Sequence, residues 1–146
     1  MQELRSDPNL GSQEDFMAIR DIYYRSGEGF MLVFSVSDAS SFKFIEDCKE
    51  AIIRIKGDQN PPMLLVGNKC DLSDRQVNKS EAEAYARTIG VEYIETSAKN
   101  NLNVVNIFVS LTRLLLNKRT LEIKTNEPNQ LNQKKKKKKR FRCTLI

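Results

Sequence analysis

Three short apolar runs and several amphipathic stretches alternate along the chain. Met63 to Val66 follows Pro61-Pro62 and is apolar at every position. Phe30 to Val36 is apolar except at Ser35. Runs of this kind suit strands buried on both faces, as in a parallel sheet covered by helices. Val91-Glu92-Tyr93-Ile94-Glu95 reads as a third strand. Residues 16, 19, 22 and 23 give a short helical stripe, broken by Ser26-Gly27-Glu28-Gly29. Asp38 to Ser41 offers several capping oxygens for the next helix. Its apolar face is Phe42, Ile45, Ile52, Ile53 and Ile55, and Gly57-Asp58-Gln59-Asn60 stops it. Asn78 with Glu81 three residues on resembles a capping box. Ala82, Tyr85, Ala86 and Ile89 then share one face, and Gly90 ends that helix. Val104, Ile107, Phe108, Leu111, Leu114 and Leu115 form the apolar face of the last helix. The order α-β-α-β-α-β-α predicts an α/β layered fold, three parallel strands with flanking helices.

The second of these strands ends abruptly in Gly67-Asn68-Lys69-Cys70-Asp71. Polar groups at the carboxyl end of such a strand sit where open α/β sheets bind ligands. The residue types suit one base. The Asp71 carboxylate can accept from the ring N–H and the exocyclic amine of guanine. Adenine offers no such donor pair, so a buried Asp would be left unpaired at a cost of roughly 1–3 kcal/mol. Asn68 can donate to a ring nitrogen and brace the loop. The aliphatic stem of Lys69 can lie over the base while its ammonium stays wet. A solvated turn is the competing reading. Thr96-Ser97-Ala98-Lys99 follows the next strand, about thirty residues on, and supplies a second loop at the same end of the sheet.

Composition keeps the chain among globular proteins, with 40% apolar and 29% charged residues. At 146 residues it forms one domain at most. No run of 18 apolar residues spans a membrane, and the start of the chain has no secretory pattern. Cys48, Cys70 and Cys143 are odd in number, widely spaced and without partner histidines. That argues for reduced cytosolic thiols and against a zinc site or disulfide frame. No metal-ligating set is apparent. The net charge of +5 divides sharply: Lys134 to Arg142 carry +8, which leaves −3 on everything else. Such a tail meets either nucleic acid or an anionic membrane.

The last four residues, Cys143-Thr144-Leu145-Ile146, fit a C-a-a-X prenylation signal on Cys143. One lipid chain gives marginal, reversible binding, so stable anchoring needs a second signal. The basic run Lys134–Arg142 supplies it, at up to roughly 1 kcal/mol per charge near an anionic leaflet. This pairing favours a membrane over nuclear import or nucleic acid as the partner. Ile146 is closer to the leucine class, which favours geranylgeranyl over farnesyl.

The N-K-x-D of Asn68 to Asp71, the S-A-K of Ser97 to Lys99 and the C-a-a-X ending together resemble Ras-superfamily small GTPases. Gln13-Glu14-Asp15-Phe16 and Tyr24-Arg25-Ser26-Gly27-Glu28-Gly29-Phe30 are most similar to the Ral branch. The resemblance implies a partial Ras-like P-loop GTPase fold, GDP/GTP with Mg²⁺ as cofactors, and GTPase regulators and effectors as partners. It implies work at the cytoplasmic face of the plasma membrane or endomembranes. By the same resemblance, the Ala98 N–H meets the guanine carbonyl oxygen, Lys99 packs on the Asp71 side, and Gln13 matches the water-orienting glutamine.

The departures from the family pattern are large. No G-x-x-x-x-G-K-[ST] occurs in the chain, and that loop is what holds phosphates and Mg²⁺. The first switch segment is missing as well. The family's D-x-x-G before the glutamine falls on Asn9 and Ser12, and neither matches. Gln13 therefore has no γ-phosphate beside it, and an exposed loop amide is its competing reading. These features predict an irregular leader at 1–12, a truncated GTPase domain at 13–119 and a polar, polybasic tail at 120–146. They predict loss of tight nucleotide binding and hydrolysis, and a bare apolar edge at Phe30 to Val36. The alternative is a non-catalytic prenylated remnant that competes for regulators.

Overall fold

The computed structural model describes residues 19–125. Gln13, the leader and the Lys134–Ile146 tail lie outside the described residues. The described part of a helix, α1 (19–26), leads into β1 (Phe30–Ser35). Then come α2 (Ala39–Lys56), β2 (Met63–Asn68), α3 (Lys79–Ile89), β3 (Glu92–Glu95) and α4 (Val104–Thr125). The strands form one parallel sheet in the order β1-β2-β3. Leu32 stands opposite Leu65, and Leu65 opposite Tyr93. The three-stranded α/β layered fold expected from the sequence is the fold observed.

The central strand explains the layering. Met63, Leu64, Leu65 and Val66 are all buried, and alternate residues face opposite sides of the sheet. Met63 and Leu65 join Leu32, Phe34 and Val36 in the main core, beneath Ile45 and Ile52 of α2 and Ala82 and Ala86 of α3. Leu64 and Val66 meet Ile107 of α4 on the other face, with Met31 and Ile94 packed alongside. Each such aliphatic side chain contributes roughly 1.5–3 kcal/mol on full burial. One face thus has two helices and a broad core, and the other has one helix and a narrow core.

The helix ends follow local chemistry. Asp38 Oδ1 accepts from the Ser40 and Ser41 N–H groups at 2.9 and 3.3 Å, capping α2. Gly57 closes α2 and Gly90 closes α3, both in the left-handed region at φ 64° and 70°. Asn78 is the N-cap of α3, but its side chain makes no cap hydrogen bond, so the expected capping box is not formed. Its carbonyl instead accepts from the Glu81 and Ala82 N–H groups.

Two expectations need correction. The α1 stripe does not face inward: Ile19, Ile22 and Tyr23 are exposed. Tyr24 packs into the core instead, edge-on to Phe30 at 6.0 Å, with the Arg20 guanidinium over its ring at 5.5 Å. Phe108 is also outside the buried stripe of α4, at 58% exposed, whereas neighbouring Ile107 is at 9%. One residue is a rotation of about 100° on a helix, which carries Phe108 off the side of α4 that meets the sheet. The helix α4 itself runs on to Thr125.

At the open side, β1 is an edge among the described residues. It is not bare on both faces. Leu32 and Phe34 are buried beneath α2, while Val33 on the opposite face is 52% exposed.

Candidate functional site

The parallel sheet delivers the loops after β2 and β3 to the same end. The backbone ties them together. The Thr96 N–H donates to the Gly67 carbonyl at 2.9 Å, and the Cys70 N–H to the Thr96 carbonyl at 3.1 Å. A Cβ at Gly67 would run into the Tyr93 ring. Glycine is therefore what lets this aromatic close over the strand just before the loop begins.

Lys69 then turns the chain in the left-handed region at φ 63°. That conformation costs a residue with a side chain roughly 1–2 kcal/mol. Strain of this kind persists where the surroundings over-determine it, and it clusters at ligand clamps. The turn is closed by the Leu72 N–H donating to the Lys69 carbonyl at 3.0 Å.

Side chains complete the joint. Asn68 Oδ1 accepts from Thr96 Oγ at 3.2 Å and from the Ala98 N–H at 3.4 Å. The Ser97 hydroxyl donates to Asp71 Oδ1 and itself accepts from the Asn100 N–H. Ser97 is fully buried, so its hydroxyl has no solvent to turn to. The Ser97 hydrogen bond holds the exposed Asp71 carboxyl below its ordinary range, and the positive charge of Lys99 adds to this. Asp71 is thus an ionised, oriented acceptor at neutral pH. Lys69, Ala98 and Lys99 stand exposed around it.

A second polar cluster backs the loop. Arg75 forms a two-point pair with Glu95 at 2.7 and 3.2 Å, and Tyr93 donates to the same carboxylate at 2.9 Å. Burial pushes Glu95 up, but the hydrogen bonds from Arg75 and Tyr93 outweigh it and hold the group ionised. Burial, then the charges of Glu95 and Asp71, pushes the Cys70 thiol up. Cys70 therefore stays protonated at neutral pH and is a packing residue there.

All six guanine-site residues expected from the sequence, Asn68, Lys69, Asp71, Ser97, Ala98 and Lys99, lie on these two joined loops. Gln13 is outside the described residues. Sequence reasoning missed Thr96, whose hydroxyl braces Asn68; its place beside the S-A-K triplet was the available signal. It also missed Arg75, for which a lone arginine in a polar loop gives no signal.

The Ser97→Ala substitution tests the joint. It removes the donor to Asp71, so the carboxyl should titrate closer to its ordinary value. An NMR titration of the Asp71 side chain reads this directly. The sign for stability follows from the lowered pKa. The bond stabilises the fold above the unfolded carboxyl value and is lost as pH falls through the folded one. The parent should therefore lose more stability on acidification than Ser97→Ala does. Equal Asp71 titration in both proteins would show that the hydroxyl does not act on the carboxylate.

The arrangement suits a planar heterocycle with a donor pair on one edge, since Asp71 is charged and the Ala98 N–H is only weakly engaged. Among the described residues no group of three or more His, Cys, Asp or Glu could hold a metal ion, and the chain holds no glycine-lysine phosphate loop.

Residues 11–117 match the Ras family. "Ras-related protein Ral-a" of Drosophila melanogaster is 45% identical over 139 residues, covering 94% of this chain and 68% of that protein. "Ras-related protein ralB-A" of Xenopus laevis is 45% identical over 140 residues, again 94% of this chain and 68% of that protein. The match takes in β1, β2, β3, both loops and most of α4, and on that ground the chain belongs to the Ras family.

Proposed function

We propose that the chain is a membrane-tethered member of its family that keeps the guanine-reading pocket without the cradle for phosphates and Mg²⁺. The supporting observation is the joint between the two loops, in which Ser97 aims Asp71 and Thr96 and Ala98 hold Asn68. In this reading Asp71 accepts from the ring N–H and exocyclic amine of guanine. Asn68 donates to a ring nitrogen, the Lys69 stem covers the base plane, Ala98 N–H meets the carbonyl oxygen, and Lys99 flanks Asp71. Bound to a complete site, Mg²⁺ would supply charge neutralisation on the phosphates. No residue of this chain is assigned to it, and hydrolysis is not part of the function proposed. Gln13 has no step in it.

The tether is the proposed lipid on Cys143 together with Lys134–Arg142, facing an anionic leaflet. At such a surface the body of the domain presents itself to GTPase regulators and effectors as a non-hydrolysing competitor.

Titration with fluorescent GDP tests the pocket. A few kcal/mol from base contacts corresponds to a Kd of about 1 mM or weaker. GDP and guanosine should bind alike, adenosine more weakly, and Mg²⁺ should change nothing. Micromolar, Mg²⁺-dependent GDP binding would overturn the proposal. Equal binding of adenosine and guanosine would remove the pocket itself.

A further inference from the structure

Consecutive residues at the end of β3 each hold one residue of the loop after β2. The Thr96 carbonyl accepts from the Cys70 N–H at 3.1 Å, and the Ser97 hydroxyl donates to Asp71 Oδ1. The Glu95 carboxylate takes both Nη atoms of Arg75, at 2.7 and 3.2 Å. The segment 71–74 therefore hangs between two pins on neighbouring residues. One is Cys70 on Thr96, and the other is Arg75 on Glu95.

The second pin is well supported. A guanidinium and a carboxylate that meet at two points fix direction as well as distance. Arg75 Nη1 also donates to the Val77 carbonyl at 3.3 Å, which ties the head group to its own loop. Glu95 is held twice more. The Tyr93 hydroxyl donates to its carboxylate at 2.9 Å, and Asn103 Nδ2 donates to its main-chain carbonyl at 2.8 Å. The same Tyr93 hydroxyl lies where a Cβ on Gly67 would stand, which links the cluster to the strand that ends in Asn68. The Arg75 and Glu95 side chains are 25% and 18% exposed, so water still screens the pair and its contribution to stability is small. What it supplies is direction. Past Asp71, the main-chain ties of this loop run the other way: the Gln76 and Val77 N–H groups both donate to the Val36 carbonyl, beyond β1. Arg75 is thus the side chain that brings the far end of the loop back to β3.

We propose that Arg75 is a positioning residue for base reading: through Glu95 it keeps the Asp71 loop against β3 and the Asp71 carboxylate aimed at the edge of a guanine. This role rests on the guanine reading given above. Asp71 is exposed, and among the described residues Ser97 is the one side chain that donates to it. A single bond sets a distance and leaves the carboxylate free to swing. With Arg75 released, the far end of the loop is held from the β1 side alone, and the carboxylate loses its line to a donor pair.

NMR on the full, unlipidated chain tests this with two variants. Arg75→Met removes the pair, and Arg75→Lys keeps the charge without the two-point geometry. Ser97 and then Lys99 hold the Asp71 carboxyl below its ordinary range, and Arg75 is not among the groups that act on it. A change in the Asp71 titration on replacing Arg75 therefore reports a change of aim. Both variants should move Asp71 toward its ordinary value. Both should cut the preference for GMP over AMP by roughly fivefold or more, the share of a charged hydrogen bond lost when its acceptor leaves the line. Arg75→Lys should melt close to the parent, and it decides the matter if Arg75→Met fails to fold. An Asp71 titration unchanged in both variants overturns the proposal. A preference for GMP that survives both substitutions overturns the positioning role and leaves the guanine reading standing. A parent that does not prefer GMP overturns that reading, and the proposal with it.

Discussion

The Phe34→Ala variant is expected to lose its cooperative thermal transition. Phe34 is 2% exposed and stands where α2, β1 and β3 converge. Its ring lies 4.7 Å from that of Phe42 and 6.2 Å from that of Tyr93. Removing a buried Phe costs about 3–5 kcal/mol, through lost transfer energy and the cavity left behind. A whole domain is stable by only about 5–15 kcal/mol. Three strands with one broad core face sit at the low end of that range, so one such cavity removes most of the margin. Val33→Ala is the matched control. Its side chain is on the opposite, open face of the same strand and should change stability by no more than about 0.5 kcal/mol. Far-UV melts of the two variants check both. If Phe34→Ala melts cooperatively within a few degrees of the parent, stability does not reside in the α2–α3 face.

That contrast also marks what was legible beforehand. The run Met63 to Val66 named a strand buried on both sides, because no polar residue interrupts it and both faces do meet helices. Gly57 and Gly90 marked helix ends through the backbone conformation each adopts. The two loops of the candidate site could be paired because a parallel sheet brings the carboxyl ends of its strands together, so thirty residues of sequence become one hydrogen bond between Asn68 and Thr96. What failed was the inference of cover over parts of two helices. Periodicity says which side of a helix is apolar, not whether another element is present to bury it. Phe108 and the Ile19–Ile22–Tyr23 stripe were misread for that reason. Tyr24, not the aliphatic stripe, takes the inward place in α1, edge-on to Phe30 of β1. The aiming of Asp71 by Ser97 depends on a buried hydroxyl whose other bond goes to the Asn100 N–H, and no spacing rule reports that.

The two halves of the proposed anchor should fail separately and in different ways. Replacing Lys134 to Lys139 with glutamine removes six of the eight tail charges. At up to about 1 kcal/mol each near an anionic leaflet, the loss reaches about 6 kcal/mol, or roughly 10⁴-fold at 1.4 kcal/mol per tenfold. Added salt should weaken the parent strongly and the glutamine variant little, because the charges are screened beyond roughly 10 Å at 0.1 M. Cys143→Ser removes the lipid, each buried CH₂ of which contributes about 0.8 kcal/mol. The serine variant should keep weak, salt-sensitive binding to anionic vesicles and none to neutral ones. The lipidated glutamine variant should show the reverse, with marginal binding to both and little salt dependence. Partitioning of prenylated protein between buffer and vesicles of each composition separates these cases. Unchanged partitioning in both variants would remove the two-signal anchor. A loss confined to Cys143→Ser would leave the lysines without a membrane role, and their charge would then call for a different partner.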